Sequence, residues 1–249
     1  MKISIITVCF NSAAHIADAL RSIDEQEGVE LEHVVIDGAS KDGTLDLVNA
    51  QAQPWRRVVS EPDAGIYDAM NKGMRLATGD FVGFLNADDM LCGPRVIATI
   101  ASAARPNSDA VYGDLCYVQQ DRTDKILRYW ESGNFAADRL RYGWMPPHPT
   151  FYVRRSTAQA IGAFDLQFRI AADYDFMLRV LSRAGVSVAY LPQVLVRMRA
   201  GGVSNRSLGA MLVKSREDLA VLRKNNIGGL ATLVCKNARK IPQFLSSPH

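Results

Sequence analysis

Within the first 85 residues, four short apolar runs alternate with segments of helical periodicity, and few architectures accept that pattern. Lys2–Val8 (KISIITV), Leu31–Asp37 (LEHVVID), Arg56–Glu61 (RRVVSE) and Phe81–Leu85 (FVGFL) read as strands. The β-branched first run is near-continuous rather than alternating, the mark of a strand covered on both faces, and the second and fourth read the same way. Between them, Ile16, Ala19, Leu20 and Ile23 share one helical face, with Ser12 placed to cap it. Thr44–Ala50 is a short helix. Ala64–Ala77 is a longer one, with Ile66, Ala69, Met70, Gly73 and Ala77 along one side. A strand–helix series of this kind predicts a mostly parallel sheet with helices on both faces.

The second half has a different grain. Ala110–Val118 and Ile126–Trp130 read as shorter, mixed strands. Gly143–Pro149 (GWMPPHP) is rigid loop, because its prolines exclude a helix. A strand at Thr150–Arg154, a helix at Ala172–Ala184, a strand at Val186–Leu191 and a helix at Ser207–Lys224 follow, then a Gly-Gly break and an apolar, basic stretch. No internal repeat or low-complexity segment interrupts the chain, so residues 1–249 form a single domain.

Composition excludes several classes. Apolar residues are 48% and charged residues 22%, which argues against disorder. No apolar run reaches the ~18 residues of a membrane-spanning helix. The run Ile3–Phe10 lacks the basic region and cleavage site of a secretory leader. Cys9, Cys92, Cys116 and Cys235 are widely spaced, which suits reduced thiols in a cytoplasmic protein rather than a zinc site or disulfide framework. Net charge is +3, but residues 201–249 carry +6 and the remainder −3. An acidic body with a basic tail does not suit nucleic acid, which needs a basic stripe across the fold. It suits a tail resting on an anionic membrane face, a solvated helix, or a packing element.

Three acidic sites fall at the carboxyl ends of the predicted strands, where open α/β sheets bind ligands. Asp37 ends the second strand, Asp63 follows the third, and Asp88 and Asp89 follow the fourth. Carboxylates converging on one edge repel unless a cation or hydrogen-bond donors offset them. A hard divalent ion, held by one or two carboxylates plus substrate phosphates, fits that grouping.

TVCFN (Thr7–Asn11), VIDGASKDGT (Val35–Thr44), EPDAGIYDAMNKGMRLATGDFVGFLNADD (Glu61–Asp89) and ADYDFMLR (Ala172–Arg179) together resemble family 2 glycosyltransferases. The third segment most resembles a bacterial subgroup that builds surface polysaccharides and glycolipids. The resemblance implies the GT-A fold, a single α/β domain. Residues 1–115 would form a mostly parallel, Rossmann-like nucleotide-sugar-binding half, residues 116–200 a mixed-sheet acceptor half, and residues 201–249 a helical basic tail. It also implies transfer of a sugar, with inversion, from a nucleotide diphosphate sugar to a glycan or lipid-linked acceptor.

Carried onto this chain, the resemblance places Val8, Phe10 and Asn11 near base and ribose, with Asp37 hydrogen-bonded to the base and Asp63 lining the same pocket. A uracil fits, so a UDP-sugar is the favoured donor, with thymidine and guanosine nucleotides left open. NADD stands where the family carries its Asp-X-Asp-type motif, although it reads Asn86-Ala87-Asp88-Asp89. Asp89 matches the metal position, for Mg²⁺ or Mn²⁺, and Asp88 faces the ribose or donor sugar. Asp173 resembles the catalytic base, with Asp175 as its competitor. His148 lies in a segment that resembles the acceptor side. Arg199–Ser204 (RAGGVS) resembles a loop that closes on the diphosphate, or else is a plain turn into a helix capped by Ser207. A lipid-linked acceptor would put the enzyme at the cytoplasmic face of the inner membrane, touched by Lys236, Arg239 and Lys240 beside Leu230, Leu233 and Val234, with Pro242 ending that helix. A nucleotidyltransferase on a similar fold would need a Gly-rich basic loop near the N-terminus, where this chain has TVCFNSA. A non-catalytic binding module would have lost the acids retained at 89, 173 and 175.

Overall fold

A computed structural model describes residues 1–201, 208–240 and 243. Among these residues, nine strands form one mixed sheet. Strands β1 (Lys2–Cys9), β2 (Glu30–Asp37), β3 (Arg56–Ser60) and β4 (Phe81–Phe84) pair in parallel, in the order β3-β2-β1-β4. Beyond β4 the sheet turns antiparallel through β8 (Tyr152–Arg154) and continues to β6 (Ala110–Val118), β9 (Val188–Arg199) and the two-residue β5 (Met90–Leu91). Strand β7 (Ile126–Trp130) hangs from β6 as a hairpin partner.

Period-two alternation along the central strands feeds two apolar layers. Ile6, Val8, Val34, Ile36, Val82 and Phe84 point to one face. There they meet α3 (Ile66–Leu76), α5 (Arg155–Ile161), α6 (Ala172–Leu181) and α7 (Leu208–Lys224). Ile3, Ile5, Phe81 and Leu85 point to the other, under α1 (Ile16–Asp24) and α4 (Val96–Ala103), while Cys9 and Val35 pack there with α1 and α2 (Thr44–Ala50). Both faces are therefore covered, as the near-continuous apolar runs require. The four cysteines are free thiols.

Several local expectations are corrected. Ser12 does not cap α1 with its side chain. Its backbone carbonyl accepts from the His15 and Ile16 N–H groups, and its hydroxyl donates to the Phe10 carbonyl. Ile66 opens α3 and is 47% exposed, because Tyr67 takes the buried place beside it. Strand β9 runs on to Arg199 instead of stopping at Leu191. Pro192 lies in an irregularity where the register jumps from Gly113–Leu191 to Asp114–Val194, so the lost ladder bond is absorbed in a bulge. Within the proline loop, His148–Thr150 makes one 3₁₀ turn. Helices α4 and α5 were not anticipated, since VIATIASA lacks a polar face and RSTAQAI an apolar stripe.

A last helix, α8 (Leu230–Ala238), packs against the body. The basic, apolar face expected there is split. Leu233 packs on the core, Leu230 and Val234 are exposed, and Lys236 is buried in an ion pair with Asp218 at 2.7 Å. Lys236 is thus not available to a membrane surface. Residues 202–204 of the glycine-rich loop, the Ser207 cap and Pro242 lie outside the described residues. Among the described residues, no helix is long and apolar enough to cross a membrane.

Candidate active site

The carboxyl ends of β1 and β2 leave the sheet as two loops stitched to each other. The Asn11 N–H donates to Ser40 Oγ (2.8 Å) and the Lys41 N–H returns to Asn11 Oδ1 (3.0 Å). Ser12 N–H donates to Thr44 Oγ1 (2.7 Å) and Ala13 N–H to Asp42 Oδ2 (3.0 Å). Asn11 (φ 48°) and Ala39 (φ 61°) are held in the left-handed region, strain of a kind that gathers at functional sites. Asp37 lies beneath, fully buried, accepting from Ser60 Oγ (2.6 Å) and the Ser40 N–H (3.1 Å). Its carboxylate organises the loop from below. Val8 is also buried, whereas the Phe10 ring is 63% exposed. Gly38 lies where three loops meet: a Cβ there would stand 2.6 Å from Asp63 Oδ2 and 3.2 Å from the Phe10 ring. Phe10, Asn11, Asp37 and Asp63 therefore form one locus.

The acids after β4 form the second. Asp89 is fully buried, accepting from the Asn86 side-chain amide (2.8 Å) and the Arg199 N–H (3.3 Å). Burial first, and then the Asp88 charge, push its pKa well above the usual carboxylate range. Asp88 is half-buried. Arg199 braces this turn but does not neutralise it. Its guanidinium donates to the Asp88 carbonyl (2.8 Å), the Gln120 carbonyl (3.0 Å) and Asp18 (2.6 Å). Among the described residues no side chain donates to the Asp88 carboxylate, and no group of three potential metal ligands forms. Two adjacent carboxylates short of countercharge, with hard oxygen donors, fit a divalent cation that completes its shell with water and phosphate.

The third locus lies at the start of α6. Asp173 is half-buried and accepts from the Tyr174 N–H (2.8 Å) and from the Tyr67 hydroxyl (3.1 Å), whose proton is shared with the Ile170 carbonyl (2.6 Å). Asp175 is fully buried, paired with Arg179 (2.8 Å) and Lys224 (3.0 Å) and bonded to the Asn225 amide (2.9 Å). The helix thus turns one acid outward and commits the other to structure. His148 stacks on Phe84, centroids 5.3 Å apart, at the end of β4. It is buried, and its Nε2 has no hydrogen-bond partner among the described residues. Burial holds its pKa below the ordinary value, against the opposing pull of Asp173.

Chain connectivity joins the three. Helix α3 begins just after Asp63, and its Tyr67 reaches Asp173. Phe84 carries His148 and stands two residues before Asn86. Two positioning residues were not found from the sequence. Tyr67 sits inside the Glu61–Asp89 segment, where local spacing marks it only as part of a helix. Glu217 of α7 accepts from the N–H groups of Arg169 (3.0 Å), Ile170 (2.8 Å) and Ala171 (3.0 Å), holding the entry to α6. No local pattern announces a carboxylate that caps a segment 46 residues earlier.

Comparison with known proteins shows the family and the fold. Residues 4–165 match the family described as Glycosyl transferase family 2. A PGL/p-HBAD biosynthesis glycosyltransferase of Mycobacterium tuberculosis is 35% identical over 208 residues, 81% of this chain and 78% of the relative. An uncharacterized glycosyltransferase of the same species is 32% identical over 179 residues, covering 71% and 68%. Among solved structures, S. aureus TarS 1–349 in complex with UDP-GlcNAc superposes with a TM-score of 0.70 at 20% identity, over 90% of this chain and 65% of that one. The mannosyltransferase PcManGT from Pyrobaculum calidifontis, in complex with GDP-Man and Mn²⁺, gives 0.68 at 22%, over 98% and 72%. These two share the fold, which is the expected GT-A type. The chain belongs to glycosyltransferase family 2 and is a sugar-transferring enzyme.

Proposed function

We propose that this glycosyltransferase is inverting and metal-dependent, and moves a sugar from a nucleotide diphosphate sugar, with UDP-sugars favoured, to a hydroxyl of a glycan or lipid-linked acceptor in surface polysaccharide or glycolipid synthesis. The observation that carries it is the division of labour on α6. Asp175 is sequestered by Arg179 and Lys224, while Asp173 is half-exposed and oriented by Tyr67. In this reading Phe10 and Asn11 receive base and ribose, with Asp63 beside them and Asp37 and Val8 shaping the pocket from beneath.

Asp88 and Asp89 would hold Mg²⁺ or Mn²⁺, with Asp88 the accessible carboxylate and Asp89 the buried one. When bound, the ion supplies Lewis-acid stabilisation of the leaving diphosphate. The chain's own contribution is positional. Asp173 takes the proton from the attacking hydroxyl as the new bond forms, from the face opposite the leaving group, which gives inversion. General-base catalysis of this kind contributes about 10²–10⁴-fold. The unpaired His148 Nε2 is a contact for the acceptor.

Contact with the cytoplasmic face of a membrane is part of the same proposal. It is supported by the exposure of Leu230 and Val234 on α8 and of Met211, Leu212 and Val213 on α7. A panel of nucleotide sugars, scored for nucleotide release with Mn²⁺, with Mg²⁺ and with EDTA, tests the donor and the metal together. Full turnover in EDTA would overturn the metal assignment.

A further inference from the structure

A cavity of about 390 Å³ opens between β7, the short turn at Ala137–Tyr142 and α8. Its wall combines two chemistries. Tyr129, Trp130 and Trp144 present aromatic surface, and Arg139, Lys236, Arg239 and Lys240 bring cations. Opposing charge is sparse. Asp218 is taken by Lys236, and the wall residue Glu131 is exposed. Among the described residues, Arg139, Arg239 and Lys240 have no carboxylate partner. Arg139 and Arg239 donate to the carbonyls of Asn134 (2.6 Å) and Tyr142 (2.9 Å), and Lys240 to Asn237 Oδ1 (3.2 Å).

Lys240 is both half-buried and crowded by like charge. Burial first, then Lys214 and Lys236, hold its pKa down to about 8, with Asp218 pulling the other way. An anion in the cavity would relieve that repulsion. The arrangement is built rather than incidental. Gly143 has φ 73°, and a Cβ there would stand 2.5 Å from the Lys236 backbone, so only glycine lets α8 close on this loop. Two contacts link the cavity wall to the start of α6 and to the proline loop. Lys236 Nζ stands 3.5 Å from the Tyr174 ring centroid, next in sequence to Asp173, and Trp144 begins the segment that carries His148.

We infer that this cavity is the anion-binding part of the acceptor site, taking a phosphate or diphosphate ester whose organic remainder lies along Trp130 and Trp144. The inference rests on Asp173 marking the acceptor side. The same phosphate chemistry is offered by free phosphate and by the donor's diphosphate, so the test separates these sources.

Binding of farnesyl phosphate, farnesol, inorganic phosphate and UDP is measured by titration calorimetry on the wild-type chain and on the double variant Arg239→Gln/Lys240→Gln. Both residues sit at the end of α8 and are not enclosed by the core, so the fold tolerates the change. Farnesyl phosphate is expected to bind at least tenfold tighter than farnesol and tenfold tighter than inorganic phosphate. The double variant is expected to lose that preference while UDP binding stays within twofold. Equal binding of the ester and the alcohol, equal binding of the ester and free phosphate, or an unchanged preference in the double variant would each overturn the inference. So would a loss of UDP binding in the double variant, which assigns the cations to the donor. Binding to anionic vesicles without binding of the ester would assign them to a membrane face and overturn it as well. Asp173→Asn should bind the ester as the wild type does. Its turnover therefore reports on the base alone, and the two readings fail separately.

Discussion

The two aspartates of α6 should respond to the same substitution in opposite currencies. In Asp173→Asn the amide oxygen can still accept from the Tyr67 hydroxyl and the Tyr174 N–H, so the local bonds survive while the proton acceptor is lost. Turnover should fall by about 10²-fold or more, some 2.7 kcal/mol of barrier, with donor affinity nearly intact and melting temperature little changed. In Asp175→Asn the buried carboxylate disappears from between Arg179 and Lys224. Removing one partner of a buried ion pair costs about 3–5 kcal/mol. Lys224 is 41% exposed and keeps Asp165 at 2.7 Å, so hydration and that second partner reduce the cost here to about 2–3 kcal/mol. At about 2–4 °C per kcal/mol for a chain of this size, the melting temperature should drop by about 4–12 °C. Differential scanning fluorimetry and nucleotide release on the same preparations read both quantities. A destabilised Asp173→Asn that still turns over, beside a thermally normal but inactive Asp175→Asn, would refute the assignment.

Tyr67→Phe removes the hydroxyl that orients Asp173, and should lower kcat by about tenfold with little effect on donor KM; restored activity at higher acceptor concentration alone would argue for a binding role instead. Glu217→Gln keeps the shape but weakens the acceptor for three backbone N–H groups before α6, and should cost about 1–2 kcal/mol in urea unfolding as well as some kcat, whereas Glu217→Ala costs more of both. Glu32 lies at the opposite end of the sheet. Burial opposes its ionisation, but hydrogen bonds from Ser4, Thr78 and Lys2 outweigh it and bring its pKa down to about 2. Its folded pKa is below its unfolded one, so the stability it gives is in place above the ordinary glutamate range and is lost as pH falls through about 2. Urea midpoints of wild type and Glu32→Gln should therefore converge as pH is lowered from 6 toward 2, and a constant gap would contradict the account.

What was legible in the chain follows from the range of the forces involved. The parallel half was readable because each strand, buried on both faces, carries its own apolar signature, and because its acids fall at strand ends where turn chemistry and ligand chemistry coincide. Strand β9 passes Pro192, a local stop signal, because pairing with the facing β6 absorbs the proline in a register jump that no local pattern shows. The choice between Asp173 and Asp175 was open for the same reason. Two acids in one helical turn are locally equivalent. What separates them is Tyr67, more than 100 residues earlier, and Lys224, about 50 residues later.

The basic tail gives the strongest form of that argument. Read alone, Lys236, Arg239 and Lys240 beside Leu230, Leu233 and Val234 describe a helix lying on a lipid surface. Folded, Lys236 is drawn inside by Asp218 and the Tyr174 ring, and the two remaining cations border a cavity with aromatic walls. Charge count was conserved between the two descriptions, but its direction was not. The same positive residues that would have met a headgroup plane from outside line a cavity bounded by β7 and the Ala137–Tyr142 turn. A tail that contributes to acceptor binding in this way should be coupled to the start of α6 through Lys236. Lys236→Met, which keeps the stem over Tyr174 and removes the charge, leaves Asp218 buried without its partner. It should lower stability by about 3 kcal/mol or more. The paired variant Lys236→Met/Asp218→Leu should recover most of that stability, since replacing a whole buried pair by apolar groups is close to neutral. If the double variant recovers stability and also keeps full turnover, the Lys236 charge has no part in the acceptor site.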